Sequence, residues 1–531
     1  MKCKRMKKTF LMLSMCLILL VGANGQAKTR KFSSIINHPS VNTFAPLISA
    51  DGNMIMLITD NAEDNALAPF FALRENNDWT EPVLLPKSVN TRLNFLYGFG
   101  INADGRKLYV STLKMPSVGG FDLWVSDLKG KTWSDPQNMG APINTKSNEA
   151  CASLTTDGNT MYFMRCDKMD QQKADNCRLM VVRKKSNGQW EEPTELPASI
   201  NTGNSQTPRI MADGETLIFA SNKMSGGKGG MDLYVTRLKN GSWSTPVALD
   251  FVNTAADDQY VSASGLGRYL LKDTKGARKN EIMEYLIPGE LRPRGMMKLE
   301  GKVADAAGAP TGAYITITDI NNGKATYTGR PNADGSFLVY LMEGTTYEMA
   351  VDPEHSDFSF FSRAFDLTSD KIPQSERVDV VLKQIRNGDE LALEQVRFKP
   401  NSSELESSSK KELQRLGRII KNNPAMKFEI QVLFSGYAED STRSSPDLTE
   451  VVLDMIPTQV NEIDSLGQIY KKDTVMTRTR YNNDRTVAQA QAIISFLVSD
   501  GAKPDNLTYF VNAIASPAPE NRKLTIRARV R

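Results

Sequence analysis

Few residue types do chemistry at neutral pH, and this 531-residue chain is short of the most versatile one. His38 and His355 are its only histidines. That scarcity argues against a His-rich metal centre and leaves little for a Ser/His/Asp relay. No Gly-x-Ser-x-Gly turn has a histidine placed to serve it. Asp and Glu together number 61, enough for a two-carboxylate hydrolase, yet no motif singles out a pair. The cluster Gly226-Gly227-Lys228-Gly229-Gly230 has the composition of a phosphate loop. A strand follows it, so the helix N-terminus that would hold a phosphate is missing and an interstrand loop is expected. The reading is of a protein with no catalytic residue, no metal and no cofactor.

The cysteines and the first residues speak to compartment. Residues 1–25 carry Lys2, Lys4, Arg5, Lys7 and Lys8 and no acid, then an apolar run over 9–21, then Ala23 and Gly25 ahead of Gln26. This reads as a cleaved secretory signal. The run is short for a bilayer span, and no later stretch has the length, so an exported chain without a transmembrane span is expected. Leu13-Ser14-Met15-Cys16 offers a lipidation signal, but the cut would fall inside the apolar run, and lipidation is not expected. Loss of the signal takes the formal charge from +4 to −1, which removes any global pull toward nucleic acid. Cys151, Cys166 and Cys177 remain. Cys166 and Cys177 flank a polar stretch and form the candidate disulfide of an oxidising periplasm, with three separate thiols as the alternative.

The elements that would position any site are repeats. Asp-Gly pairs at 51–52, 104–105, 157–158 and 213–214 are spaced by 53, 53 and 56, and Leu266-Gly267 continues the beat. Trp79, Trp133, Trp190 and Trp243 each stand three residues before a proline. An apolar-Asn-Thr signature opens each unit, at Val41-Asn42-Thr43, Val89-Asn90-Thr91, Ile143-Asn144-Thr145, Ile200-Asn201-Thr202 and Val252-Asn253-Thr254. Gly after Asp accepts the positive φ of a tight turn, and β-rich runs such as Leu108-Tyr109-Val110-Ser111 follow. Four short strands per unit predict an all-β propeller over 31–290. Five blades are counted, with residues 31–36 completing the last and six blades as the alternative. The units resemble the WD-type repeats of exported envelope proteins, including TolB-like propellers, most clearly at Ser221-Asn222-Lys223 with Gly229-Gly230-Met231-Asp232-Leu233-Tyr234.

Pro288-Gly289-Glu290-Leu291-Arg292-Pro293-Arg294-Gly295 reads as a linker. Single-copy strands with close turns then predict a β-sandwich over 297–385. Its Gly301-Lys302-Val303, Asp305, Gly308 and Asp334-Gly335-Ser336-Phe337 are similar to carboxypeptidase-regulatory-like domains, a resemblance that implies no catalysis.

From 388 to 531 helix and strand alternate. Val396-Arg397-Phe398 reads as the end of a strand, and Ser409-Lys410-Lys411-Glu412 as a capping box. Leu413, Leu416, Ile419 and Ile420 keep helical spacing, and a second helix is predicted from about Thr486 to Val498. The β-α-β-α-β-β order resembles the OmpA C-terminal domain. The resemblance rests on Ser402-Ser403-Glu404-Leu405, Gly436-Tyr437-Ala438-Glu439, Asn482 with Thr486 and Ala490, and Asn521-Arg522. It implies peptidoglycan binding, with an acid and an arginine gripping the ammonium and carboxylate of the stem peptide. Here Glu439 and Gln489 stand at those two positions, and Gln lacks the charged fork that a carboxylate prefers. Arg485, one turn before Gln489, is the substitute candidate. An insertion over 440–481, with Arg478 and Arg480, is expected either to complete the pocket or to cover it.

The expected protein is a non-enzymatic envelope scaffold in the periplasm, associated with the outer membrane. It holds envelope proteins through propeller and sandwich, and peptidoglycan through Gly436, Tyr437, Glu439, Asn482, Arg485, Gln489, Asn521 and Arg522. The order of modules looks like Bacteroidetes accessory outer-membrane proteins, including a type IX secretion-associated member. The alternatives are a propeller-based hydrolase and a secretion-complex subunit without wall binding.

Overall fold

The computed structural model describes residues 29–531 except 61–66, 77, 91–97, 171–172, 265–266, 356, 370–371, 374, 400–401, 438–449, 483 and 516–522. The expected signal peptide lies outside the described residues. The chain forms two compact units, Met1–Met297 and Lys298–Arg531.

The first unit is a propeller of five sheets. Blade 1 comprises Thr43–Ile48, Met54–Thr59 and Ala68–Glu75 with the short outer strands Asp78–Trp79 and Val83–Leu84. Blades 2, 3 and 4 span residues 100–138, 148–195 and 205–248, each ordered from the inside outward along the chain. Blade 5 has Val261–Ser264, Tyr269–Lys275 and Asn280–Leu286, and Thr29–Lys31 supplies its fourth strand. The closing strand therefore starts two residues before the expected 31–36 segment and ends at Lys31.

Each repeated residue has one physical task. The turn glycines Gly52, Gly105, Gly158, Gly214 and Gly267 all sit at φ between 66° and 74°. In four of these turns the aspartate Oδ1 accepts the amide two residues on: Asn53, Arg106, Asn159 and Glu215, each at 3.0 Å. The signature asparagines staple neighbouring blades. Asn144 Oδ1 accepts from Leu123 N at 2.8 Å while its Nδ2 donates to Leu123 O at 2.9 Å. Asn201 and Asn253 grip Leu179 and Leu233 in the same way. In the first repeat this task falls to Asn37, which holds Ile282 N and O at 2.8 Å each. Asn42, which carries the Asn-Thr pair, instead bonds Asp60 and accepts a single bond from Asn280 N at 2.9 Å. Register, not the dipeptide, decides the role.

The tryptophans also work across junctions. Trp133 of blade 2 meets Phe71 of blade 1 edge-on at 5.8 Å, and Trp243 of blade 4 meets Tyr162 of blade 3 at 6.0 Å. Apolar clusters fill the five junctions in turn, because no blade buries both its faces alone. The proline-rich stretch after blade 5 is pinned down: Arg237 Nη2 donates to Arg292 O at 2.6 Å, and Arg294 N donates to Asp213 Oδ2 at 3.1 Å.

The second unit joins two layers of sheet to an α/β body. One sandwich sheet is built on Met296–Asp305 and the other on Ala313–Asp319 and Thr346–Pro353. The α/β sheet runs in the order Glu390–Ala392, Lys523–Val530, Phe428–Tyr437, Leu507–Ala515. Helices α1 (Ser409–Asn422) and α2 (Thr486–Ser499) lay Leu413, Leu416, Ile493 and Leu497 against Phe428, Ile430 and Val432 of that sheet. Two local expectations fail here. Residues 396–398 are not a strand, and only an isolated bridge links Phe398 to Leu405. Nor is there a capping box. Ser409 is inside the helix and bonds the Arg397 backbone, while Glu412 Oε2 accepts from Gln395 N and Ser362 Oγ. Tertiary partners outbid the local ring.

Candidate functional site

The parallel strands Phe428–Tyr437 and Leu507–Ala515 end side by side, with Tyr437 paired to Ala515. Helix α2 packs on both strands. Gly436 and Tyr437 lie at this strand end. Asn482 ends the second strand of the insertion, opposite Glu450. Arg485 immediately precedes α2 with φ −114° and ψ 13°, and its carbonyl accepts the first helical bond, from Gln489 N at 2.9 Å. Glu439, Asn521 and Arg522 lie outside the described residues.

Gln489 is 1 % exposed, and among the described residues its Oε1 accepts no hydrogen bond. A buried amide oxygen without a donor is unfavourable by about 1–3 kcal/mol. The sequence reading passed over Asp484. Its Oδ1 accepts from Thr486 N at 2.9 Å and Thr486 Oγ1 at 2.6 Å, holding the first turn of α2 with a negative charge where the helix dipole favours one. The signal was visible as Asp two residues before Thr at a helix start.

Among the described residues the insertion makes no lid over this strand end. It forms a two-stranded arm, Glu450–Ile463 paired along its whole length with Ile469–Asn482. Val451, Leu453, Met455 and Val475 are more than half exposed along one face. Ile463, Leu466 and Ile469 at the tip are 71, 83 and 69 % exposed. Arg478 lies opposite Asp454 within the arm. The alternation of apolar and polar residues was readable as strands, but not that the apolar face would stay bare.

At the sandwich, α1 brings a second polar cluster. Arg415 Nη1 pairs with Glu348 at 2.8 Å and Arg418 Nη2 with Asp352 at 3.0 Å. Glu412 is fully buried beside them, and that burial pushes its carboxyl up to about 7 against the opposing bonds from Ser362 and Gln395. This is a structural latch between sandwich and α1.

In the propeller, Cys166 and Cys177 face each other on adjacent strands with sulfurs 2.10 Å apart, joined as a disulfide. Cys151 is buried and free. The glycine cluster at 226–230 turns its Lys228 and Gly229 amides onto the chain's own Asp232, at 2.9 and 3.0 Å, so no phosphate cradle is left there. A cavity of about 530 Å³ opens beside His38, Ser40, Asp60 and Glu81. His38 Nδ1 lies 2.9 Å from Ser40 Oγ, but the Asp60 carboxylate is held by Asn42, so no relay is assembled. No group of acids, cysteines and histidines among the described residues could hold a metal ion. No described helix is long and apolar enough to cross a membrane.

No family model and no curated protein matches the chain. Among solved structures, a putative TolB from Agrobacterium tumefaciens is 16 % identical, covering 56 % of this chain and 90 % of its own with a TM-score of 0.29. An exo-1,5-alpha-L-arabinanase from a bovine ruminal metagenomic library is 12 % identical, covering 48 % and 93 %, with a TM-score of 0.29. A glycoside hydrolase is 10 % identical over 48 % and 88 %, with a TM-score of 0.32. A putative TolB and glycan-cleaving enzymes thus stand together among the neighbours, and likenesses of this strength carry no activity across.

Proposed function

We propose that this is an exported, non-enzymatic scaffold of the cell envelope that holds partner proteins near the outer membrane. The observation that carries the reading is the arm. An exposed apolar ribbon of two 14-residue strands is a surface that gains free energy only when a partner covers it. The Cys166–Cys177 disulfide supports an oxidising compartment, and with it export through the 1–25 signal. The α/β body at 388–531 is the wall-facing module in this reading, with peptidoglycan met at the strand end by Arg485 and the unanswered Gln489 oxygen. Crosslinking in cells tests the scaffold role directly. Proteins captured by the wild type and absent when 451–481 is replaced by a short Gly-Ser turn support it, and an unchanged capture profile removes it. Pelleting of the full chain with purified peptidoglycan tests the wall module. Retention should fall when Glu439 and Arg485 are replaced together, and unchanged retention removes that site.

A propeller-borne hydrolase is the second reading, favoured by the cavity beside His38. Turnover of wall fragments or peptides that disappears in His38→Ala would establish it.

A further inference from the structure

The inner strands of the ring break their repeat at one place. Four residues before each turn aspartate stand Leu47, Gly100, Ser153 and Arg209, and the same count in blade 5 reaches Ser262. The serines join inner strands: Ser153 Oγ accepts from Ile210 N and Ser262 Oγ from Ile48 N, both at 3.0 Å. Arg209 is different in kind. It is 5 % exposed, and among the described residues its Nη1 reaches Ala152 O at 3.4 Å and Pro208 O at 3.5 Å, with the uncharged Cys151 thiol also in hydrogen-bond reach of the side chain. Its Nε has no hydrogen-bond partner, and no carboxylate pairs with it among the described residues.

The same ring shows how its other buried cations are answered. Arg165 pairs with Glu149 at 2.8 Å, and Lys272 with Asp258 at 2.7 Å. Each acid is in turn held by a threonine four residues earlier, Thr145 or Thr254. In blade 4 the acid's place in the strand register is taken by Ser205, so the repeat removes a carboxylate from the blade that gains a guanidinium. A buried, unpaired cation is unfavourable by several kcal/mol. Gly98, at φ +70°, stands where Ala45, Cys151 and Thr207 stand in blades 1, 3 and 4. A Cβ on Gly98 would lie 3.1 Å from Arg209 Nη2 and 3.4 Å from the Tyr260 ring, so a larger residue there would press on the guanidinium. The Cys151 thiol beside it is pushed up by burial and supplies no counter-charge.

We propose that Arg209 is the base of an oxyanion site in the propeller's axis, taking a carboxylate or phosphate oxygen pair on its planar fork. The charge of the ligand completes what Glu149 and Asp258 do for their own blades.

Thermal unfolding of the full chain provides the test, with inorganic phosphate and acetate as separate probes and sodium chloride at matched ionic strength as the baseline. The wild type should gain a saturable upward shift with at least one probe beyond the chloride baseline, and the responding probe names the ligand's chemistry. Arg209→Met, which fills similar volume without charge, should melt cooperatively and show no such shift. Arg209→Lys, a second variant that keeps the charge but loses the fork, should raise the half-saturating concentration at least tenfold. Absence of a saturable shift in the wild type overturns the proposal. So does a Met or Lys variant that responds as the wild type does.

Discussion

The ring and the arm are both antiparallel β-structure, yet they treat apolar surface in opposite ways. In the ring every blade hands its apolar face to a neighbour, and Trp133, Phe71, Leu108 and Val110 end in one closed junction. In the arm Leu453, Met455 and Ile469 end in water. The difference teaches where stability and interaction reside. A repeat supplies its own partner for every face, whereas a single-copy insertion leaves a face for something outside the chain.

Substitutions across both regions would break or sharpen this contrast. Trp133→Ala should empty a closed junction and lower propeller stability by about 3–5 kcal/mol in urea unfolding. An effect no larger than that of an exposed residue would mean the junctions are not the ring's support. Asn253→Ala should cost about 2–3 kcal/mol, since Leu233 N and O would both be left buried without partners. By contrast Asn42→Ala should cost less, about 1 kcal/mol, because Asn42 gives blade 5 one bond, from Asn280 N at 2.9 Å, where Asn253 holds both N and O of one residue.

The latch in the second unit responds to pH. Glu412 titrates near 7 when folded and near 4.5 when unfolded, so the folded state binds its proton more tightly. The stabilisation is full below about pH 4.5, declines as pH rises toward 7 and is gone above it. A shift of this size corresponds to about 3 kcal/mol, and Glu412→Gln should flatten the decline between pH 5 and pH 8. A variant with the wild-type slope would place the titration elsewhere. Replacing Cys166 and Cys177 by serine should cost about 3 kcal/mol under oxidising conditions, and nothing once the wild type is reduced. At the far end of the scale, Leu453→Asp and Leu466→Asp should leave the melting temperature within about a degree while abolishing capture of whatever covers the arm.

What could be read in advance follows the same division. The Asp-Gly turns, the stapling asparagines and the tryptophans were legible because each task recurs and every copy checks the others. The first copy was misplaced because His38 follows Asn37 where the signature has threonine, and the nearby Asn42-Thr43 imitates it. In the α/β body no second copy exists. Ser409 and Glu412 have the spacing of a local cap, and only the tertiary partners Gln395, Arg397 and Ser362 decide against it. Of the candidate wall-binding residues, those at the start of α2 were placed on their element, Gly436 and Tyr437 proved to end a strand, and Asp484 went unnoticed. Arg209 was legible in principle, by counting back from Asp213, but only beside the other four blades does an arginine look out of place.

The fourth strand of blade 5 has a temporal meaning. Thr29–Lys31 finds its pairing partner only in Asn280–Leu286, at the other extremity of the ring. A chain delivered N-terminus first must carry that strand unmatched until every other blade has arrived. An interrupted copy therefore displays a loose edge that a completed one hides.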